Sequence, residues 1–243
     1  MNIGICNRCN KMKELCKSHI VPKSFFVSMR DNPNDLIQVS VRLPGKTVKR
    51  KIGIYDTNLL CQQCERKTSS IDDYGKEVFL DMACSVIHGN ERSGCQYEIE
   101  NVDIIRLKQF LIAVLWRAAV SQRPEFESVK LEKKVRQKAK KIVFEEVTPK
   151  HSEFPFLIIK YLPSDFGPVI VNPTSFVFER CRWAKLFFPG YCVWMYVGRR
   201  APPVIFRKII SYSSSTLYLF GMKYTTSSTF KSAMNVVAGK DTY

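Results

Sequence analysis

The sequence predicts an α+β fold built in three parts, and three observations carry that expectation. Two Cys-x-x-Cys pairs, Cys6/Cys9 and Cys61/Cys64, stand far apart in the first third of the chain. Two runs in the middle place apolar residues at helical spacing. Beyond Pro149, short apolar or aromatic runs alternate with Pro, Gly, Ser and Asn. The expected parts are residues 1–90, a module stapled through its cysteines; residues 91–148, a helical region with a basic helix; and residues 149–243, an antiparallel β-rich region. A chain of 243 residues has room for one large domain or two modest ones.

Composition narrows the class. Hydrophobic residues make up 45% and charged residues 25%, which is ordinary for a globular chain and argues against extended disorder. The longest apolar run, Phe110 to Trp116, falls far short of the ~18 residues a membrane helix needs. The first residues show neither a basic leader nor an apolar signal core, so a soluble cytoplasmic protein without a membrane partner is expected. Nine cysteines leave at least one outside any disulfide scheme, and a cytosol would keep them reduced. Cys16, Cys84, Cys95, Cys181 and Cys192 are scattered and read as small buried hydrophobes.

The formal charge is +16, enough to favour polyanions as partners. It is unevenly placed: residues 1–100 carry a net +3, residues 101–160 a net +6 and residues 161–243 a net +7. If a phosphate backbone is gripped, the later part of the chain does much of the gripping. A basic protein kept soluble by its charge is the plainer alternative.

Along the chain, Ser18-His19-Ile20-Val21-Pro22 is expected to be locally extended, because the residue before a proline is pushed away from helical geometry. Residues 36–43 and 47–55 flank the turn signal Pro44-Gly45-Lys46 and read as a β-hairpin with a basic face, including Lys49, Arg50 and Lys51. From Asn58 the pattern turns helical, with Glu65 and Asp72 seven apart on one face. That helix is expected to run through Val78, Phe79, Met82 and Val86 to a stop near Gly89-Asn90, although Gly75 weakens its continuity. Residues 89–102 read as a linker. A second helix carries a broad apolar stripe from Ile104 to Ala118, with Arg106, Lys108 and Arg117 around it. A third, from Val129 to about Glu146, is densely basic: Lys133, Lys134, Lys138 and Lys141 among others. Such a run is either a solvated face or an electrostatic footprint for a polyanion. Strands are expected over 156–161, 168–171, 175–178, 185–188, 191–197, 203–206 and 217–220, with a polar, loosely ordered end after residue 224.

Four thiolates in two Cys-x-x-Cys pairs can close a tetrahedral structural zinc site at Cys6, Cys9, Cys61 and Cys64. With 51 residues between Cys9 and Cys61, the zinc would clamp the base of the hairpin excursion to the start of a helix. A compact finger of Cys6, Cys9, Cys16 and His19 is the competing set.

Cys-x-x-Cys, then His19-Ile20-Val21-Pro22, then Asn58-Leu59-Leu60-Cys61-x-x-Cys64 followed by Glu65 resembles the HNH endonuclease family with its ββα-metal module, over about residues 1–75. The resemblance implies a degenerate, H-N-E variant: a metal-dependent endonuclease hydrolysing phosphodiester bonds, DNA favoured over RNA. His19 would be the general base, Asn58 its orienter, and a catalytic Mg²⁺ or Mn²⁺ would stabilise the leaving oxygen. Two positions depart from the family. Ser18 stands where an acid or histidine is usual, and Glu65 where a histidine is usual; the ion would then depend on Glu65 with Asp72. Lys23, Lys49, Arg50, Lys51 and Lys133, Lys134, Lys138, Lys141 would contact the nucleic acid. A non-catalytic zinc module binding nucleic acid or a protein partner is the alternative, and a phage-defence or toxin-like effector a third reading that rests on the basic remainder of the chain.

Overall fold

The computed structural model describes residues 2–27, 36–39, 47–50, 53–90, 94–162, 169–200, 202, 212 and 215–223. It is an α+β structure in which helices pack on a large mixed sheet, with the cysteine cluster near the N-terminus. The N-terminal elements are small. Strands β1 (Ile3–Ile5) and β2 (Met12–Glu14) form a hairpin whose tip carries Cys6 and Cys9. Strand β3 (Ser18–His19) is followed by the short helix α1 (Lys23–Val27), which buries Phe25 and Phe26. Strands β4 (Leu36–Val39) and β5 (Thr47–Arg50) pair antiparallel, as the turn signal between them predicts. Strand β6 (Tyr55–Asp56) then returns antiparallel to β3, with Ser18 opposite Asp56 and His19 opposite Tyr55.

Cys61 opens a broken helical run. Helix α2 (Gln62–Glu65) passes through a 3₁₀ turn, Arg66–Thr68, into α3 (Ser69–Lys76), which ends in a π-turn, Glu77–Asp81. Gly75 sits in α3 because the Phe110 ring lies on it: a Cβ there would stand 2.3 Å from Phe110 Cγ. The helix does not continue to Gly89 as its apolar spacing suggests. Met82 adopts extended geometry, and strand β7 (Ser85–Asn90) pairs with β8 (Gly94–Ile99) where a linker is expected. The signal for β8 is short but physical: Cys95, Tyr97 and Ile99 are buried, while Gln96 and Glu98 between them are not, the period-two burial of a half-buried strand. Its polar residues masked that alternation.

Helix α4 (Ile104–Val120) is capped by Asp103, whose carboxylate accepts from Arg106 N at 3.0 Å. It is buried on nearly all sides, between α3, α5 (Lys133–Phe144) and the sheet. That is why Lys108 and Arg117, nine residues and so half a turn apart in phase, are both inside. The C-terminal strands are β9 (Phe156–Tyr161), β10 (Val169–Val171), β11 (Thr174–Phe178), β12 (Cys181–Phe188), β13 (Tyr191–Tyr196) and β14 (Leu217–Met222). The large sheet has the order β11-β12-β13-β9-β14-β8-β7. All its pairings are antiparallel except β9 with β14, so the purely antiparallel sheet expected is a mixed one. Strand β10 joins β4 instead, in parallel. Residues 203–206, the end after 224 and Lys51 lie outside the described residues. Phe25, Phe79, Phe110 and Phe188 meet between α1, the π-turn, α4 and β12, with ring centroids 4.8 to 6.3 Å apart, and tie the N-terminal elements to the sheet.

Candidate metal centre and its charged surroundings

Two backbone devices bring the cysteines together. The β1–β2 hairpin turns through Cys6–Cys9, and Asn7 N donates to Leu59 O at 3.0 Å while Cys16 N donates to Leu60 O at 2.9 Å. The segment before Cys61 is thereby laid along the hairpin. The four sulfurs of Cys6, Cys9, Cys61 and Cys64 all lie within 4.8 Å of one another. Tetrahedral zinc with Zn–S of about 2.3 Å sets sulfurs about 3.8 Å apart, so the donor set fits zinc in chemistry and spacing. Burial raises the Cys6 thiol, but amide hydrogens of Cys9, Cys61 and Arg8 outweigh it and bring the group down to about 7. Burial pushes Cys64 up to about 12 in spite of the Arg8 guanidinium, 3.6 Å from its sulfur. Four crowded thiols cannot all ionise unaided, and a divalent cation is what lets them do so.

The compact finger is ruled out by geometry. Cys16 stands outside the group, with its thiol donating to Leu60 O at 3.3 Å. His19 lies on β3, half-buried, with its ring tilted against Tyr55 at 5.7 Å. Asn58 is exposed; its side-chain oxygen accepts from Asn2 at 3.0 Å, and its backbone N donates to Asp56 at 2.8 Å. It does not cap the helix, whose N-cap is Cys61.

Glu65 and Asp72 do come together, but around a cation from the protein itself. Arg117 of α4, 1% exposed, donates from Nη1 to Asp72 Oδ2 at 2.7 Å and from Nη2 to Asp72 Oδ1 at 2.8 Å. Burial raises the Glu65 carboxyl above its usual range, and the Arg117 guanidinium and a hydrogen bond from Ser18 pull the other way. Ser18, fully buried, is thus matched to Glu65 across the module. Both oxygens of Asp72 are used by a planar fork that suits a carboxylate better than a spherical ion would. Among the described residues, the cysteines form the group able to hold a metal, and His19, Glu65 and Asp72 do not form a second.

The sequence offered a signal for Arg117 that charge patterning alone passes over. It sits in Val114-Leu115-Trp116-Arg117-Ala118-Ala119-Val120, where apolar residues surround it on every helical face. A cation there has no polar side to occupy. Asp56 is a second residue the sequence reading missed: it is buried, and Oδ2 accepts from Ser121 Oγ at 2.6 Å.

The cations expected to meet nucleic acid are distributed unequally. Lys133, Lys134, Lys138 and Lys141 are exposed on α5, and Lys23 is exposed at the start of α1. Lys49 and Arg50 lie in β5, opposite Ile37 and Leu36. No protein-family model, curated protein or solved structure matches this chain.

Proposed function

We propose that this chain is a nucleic-acid-binding protein in which a zinc-bound cysteine module is a structural clamp and not a hydrolytic centre. The observation that carries the reading is the way charge is divided. Asp72, the acid on α3 beside the cysteine run, is paired internally with Arg117, whereas the cations of α5 face solvent. An ion held by Glu65 and Asp72 would have to displace a buried, bidentate guanidinium. In contrast, α5 buries Val135, Ala139 and Ile142 on one side and presents Lys133, Lys134, Arg136, Lys138 and Lys141 on the other. A helix face of that density suits a polyanion whose counterions it can release.

One observation favours a second reading, a divalent-ion-dependent endonuclease of HNH type acting preferably on DNA. His19 stands on β3, which pairs with β6 just before the cysteine helix, with α1, β4 and β5 intervening between the two strands. In that reading His19 takes a proton from water and Asn58 must turn from Asn2 to orient it.

Plasmid DNA and RNA incubated with the purified protein and Mg²⁺ or Mn²⁺, with and without chelator, separate the two. The clamp reading expects salt-sensitive binding, falling roughly 10²-fold or more between about 50 and 200 mM salt, and no cutting. Divalent-ion-dependent nicking that disappears in His19→Ala would establish the nuclease reading in its place.

A further inference from the structure

Three elements converge on one cationic cleft away from the cysteines. Helix α5 contributes Lys134 and Lys138, one turn apart; the turn after it contributes Lys150 and Glu153; the end of β13 leads into Arg199 and Arg200. The cleft has a volume of about 570 Å³, within the ~300–1,000 Å³ usual for small-ligand sites. Its floor is apolar and buried, with Val135, Phe154 and Tyr196 among the lining residues.

The acids present order the cleft without neutralising it. Glu153 accepts from Lys138 Nζ at 2.8 Å and from Lys150 N at 3.0 Å, which fixes the turn against the helix. Its neighbours hold that carboxyl below the usual range although burial raises it, so it stays ionised and keeps this grip. Glu132 pairs with Arg199. Among the described residues, Lys134, Lys150 and Arg200 form no ion pair and leave roughly three positive charges facing one nucleotide-sized space. An internal phosphodiester brings a single charge, whereas a phosphomonoester carries about −1.5 to −2 and three acceptor oxygens. The charge of the cleft matches the second.

We propose that this cleft binds the terminal phosphate of a nucleotide, supplied either by the phosphorylated end of a nucleic-acid strand or by a free nucleotide. The proposal rests on the nucleic-acid reading above for the strand form, with the outer face of α5 carrying the chain beyond its end.

The test compares labelled oligonucleotides that differ only in a 5′-phosphate, a 3′-phosphate or hydroxyls at both ends, with ATP titrated as the free nucleotide. One phosphorylated end is expected to bind roughly tenfold tighter than the hydroxyl form, as charge-assisted contacts to a dianion require. Lys150→Gln and Arg200→Gln, both at exposed positions, should remove that preference while leaving the hydroxyl strand's affinity and the melting temperature unchanged. If ATP binds and is lost in the same variants while no strand binds, the free nucleotide is the source and the nucleic-acid reading falls alone. Equal affinity for all three ends with no ATP binding overturns the cleft and leaves salt-sensitive strand binding to α5 standing. Binding of neither strand nor ATP overturns both.

Discussion

Two buried cations on one helix answer burial differently, and each answer has a measurable consequence. Arg117 keeps its charge by meeting Asp72 in a bidentate pair. Removing one partner of such a pair leaves the other uncompensated, which costs about 3–5 kcal/mol. Asp72→Asn is therefore expected to lower stability by that amount in a urea titration, and Asp72→Leu combined with Arg117→Met to recover most of it. A loss below about 1 kcal/mol would mean the pair is solvated and the acids are free for an ion after all. Lys108 is 2% exposed, and among the described residues its Nζ donates to two carbonyls, Lys150 O at 3.3 Å and His151 O at 3.1 Å, with the Tyr212 ring 5.0 Å away. Burial pulls its amine down to about 8, while Glu153 acts weakly in the opposite sense. Between pH 8 and the unfolded value near 10.5 the unfolded chain binds more protons, so stability should rise with pH through that window. The gain is of order 1–3 kcal/mol, and it should be missing from the same pH series on Lys108→Met.

At the scale of elements, what the sequence made legible depended on whether one period of burial dominated a stretch. Helices α4 and α5 and most C-terminal strands follow one pattern along their length and were readable, as was the β4–β5 hairpin from its Pro-Gly turn. The segment from Asp72 to Ile99 was not, because its apolar residues serve two environments. Val78 and Phe79 are buried in a π-turn, Phe79 within the aromatic cluster, while Val86 and Ile87 are exposed on the edge strand β7, a few residues on. Helical spacing across that join is coincidental. The four cysteines were legible because a shared metal site asks for paired ligands, and the Cys-x-x-Cys spacing that provides them is visible in the sequence itself. The charges around them were not: whether Glu65 and Asp72 face an ion or an arginine depends on α4, which packs onto them from 45 residues beyond Asp72. Gly75 shows the same dependence on a distant element. It looks like a helix weakener, yet Phe110 of α4 requires the bare backbone there. Gly75→Ala would improve helix propensity and still overpack the ring, so a net loss of about 1–3 kcal/mol is expected by calorimetry. A gain in stability would show that α3 and α4 can separate to accept a methyl group.

Across the whole molecule, the cysteine cluster reaches the basic helix through two contacts that no local pattern announces. Lys140 of α5 donates to Asn7 O at 3.1 Å, and the Arg8 guanidinium lies 5.4 Å from the centre of the Phe144 ring while its Nη1 points at Cys64 Sγ. The turn that carries Cys6 and Cys9 is therefore packed on the C-terminal half of α5, and the other two cysteines begin the run that carries Asp72 to Arg117. Zinc at this point would hold three pieces together: the N-terminal hairpin, the α2–α3 run and the helix proposed to meet nucleic acid. The strands β9 and β13 have their own pairings in the large sheet and share none of these contacts. Removing the metal should thus loosen one side of the molecule and spare the other. Hydrogen exchange on protein purified with one bound zinc, before and after chelation, is expected to show protection lost over residues 6–16, 59–65 and 140–144 and retained in β9 and β13. Cys61→Ser should reproduce that pattern and lower strand affinity without touching a single lysine of α5. Uniform loss of protection across the sheet would mean that zinc stabilises the fold as one cooperative unit, and unchanged exchange in residues 140–144 would separate the clamp from the binding helix.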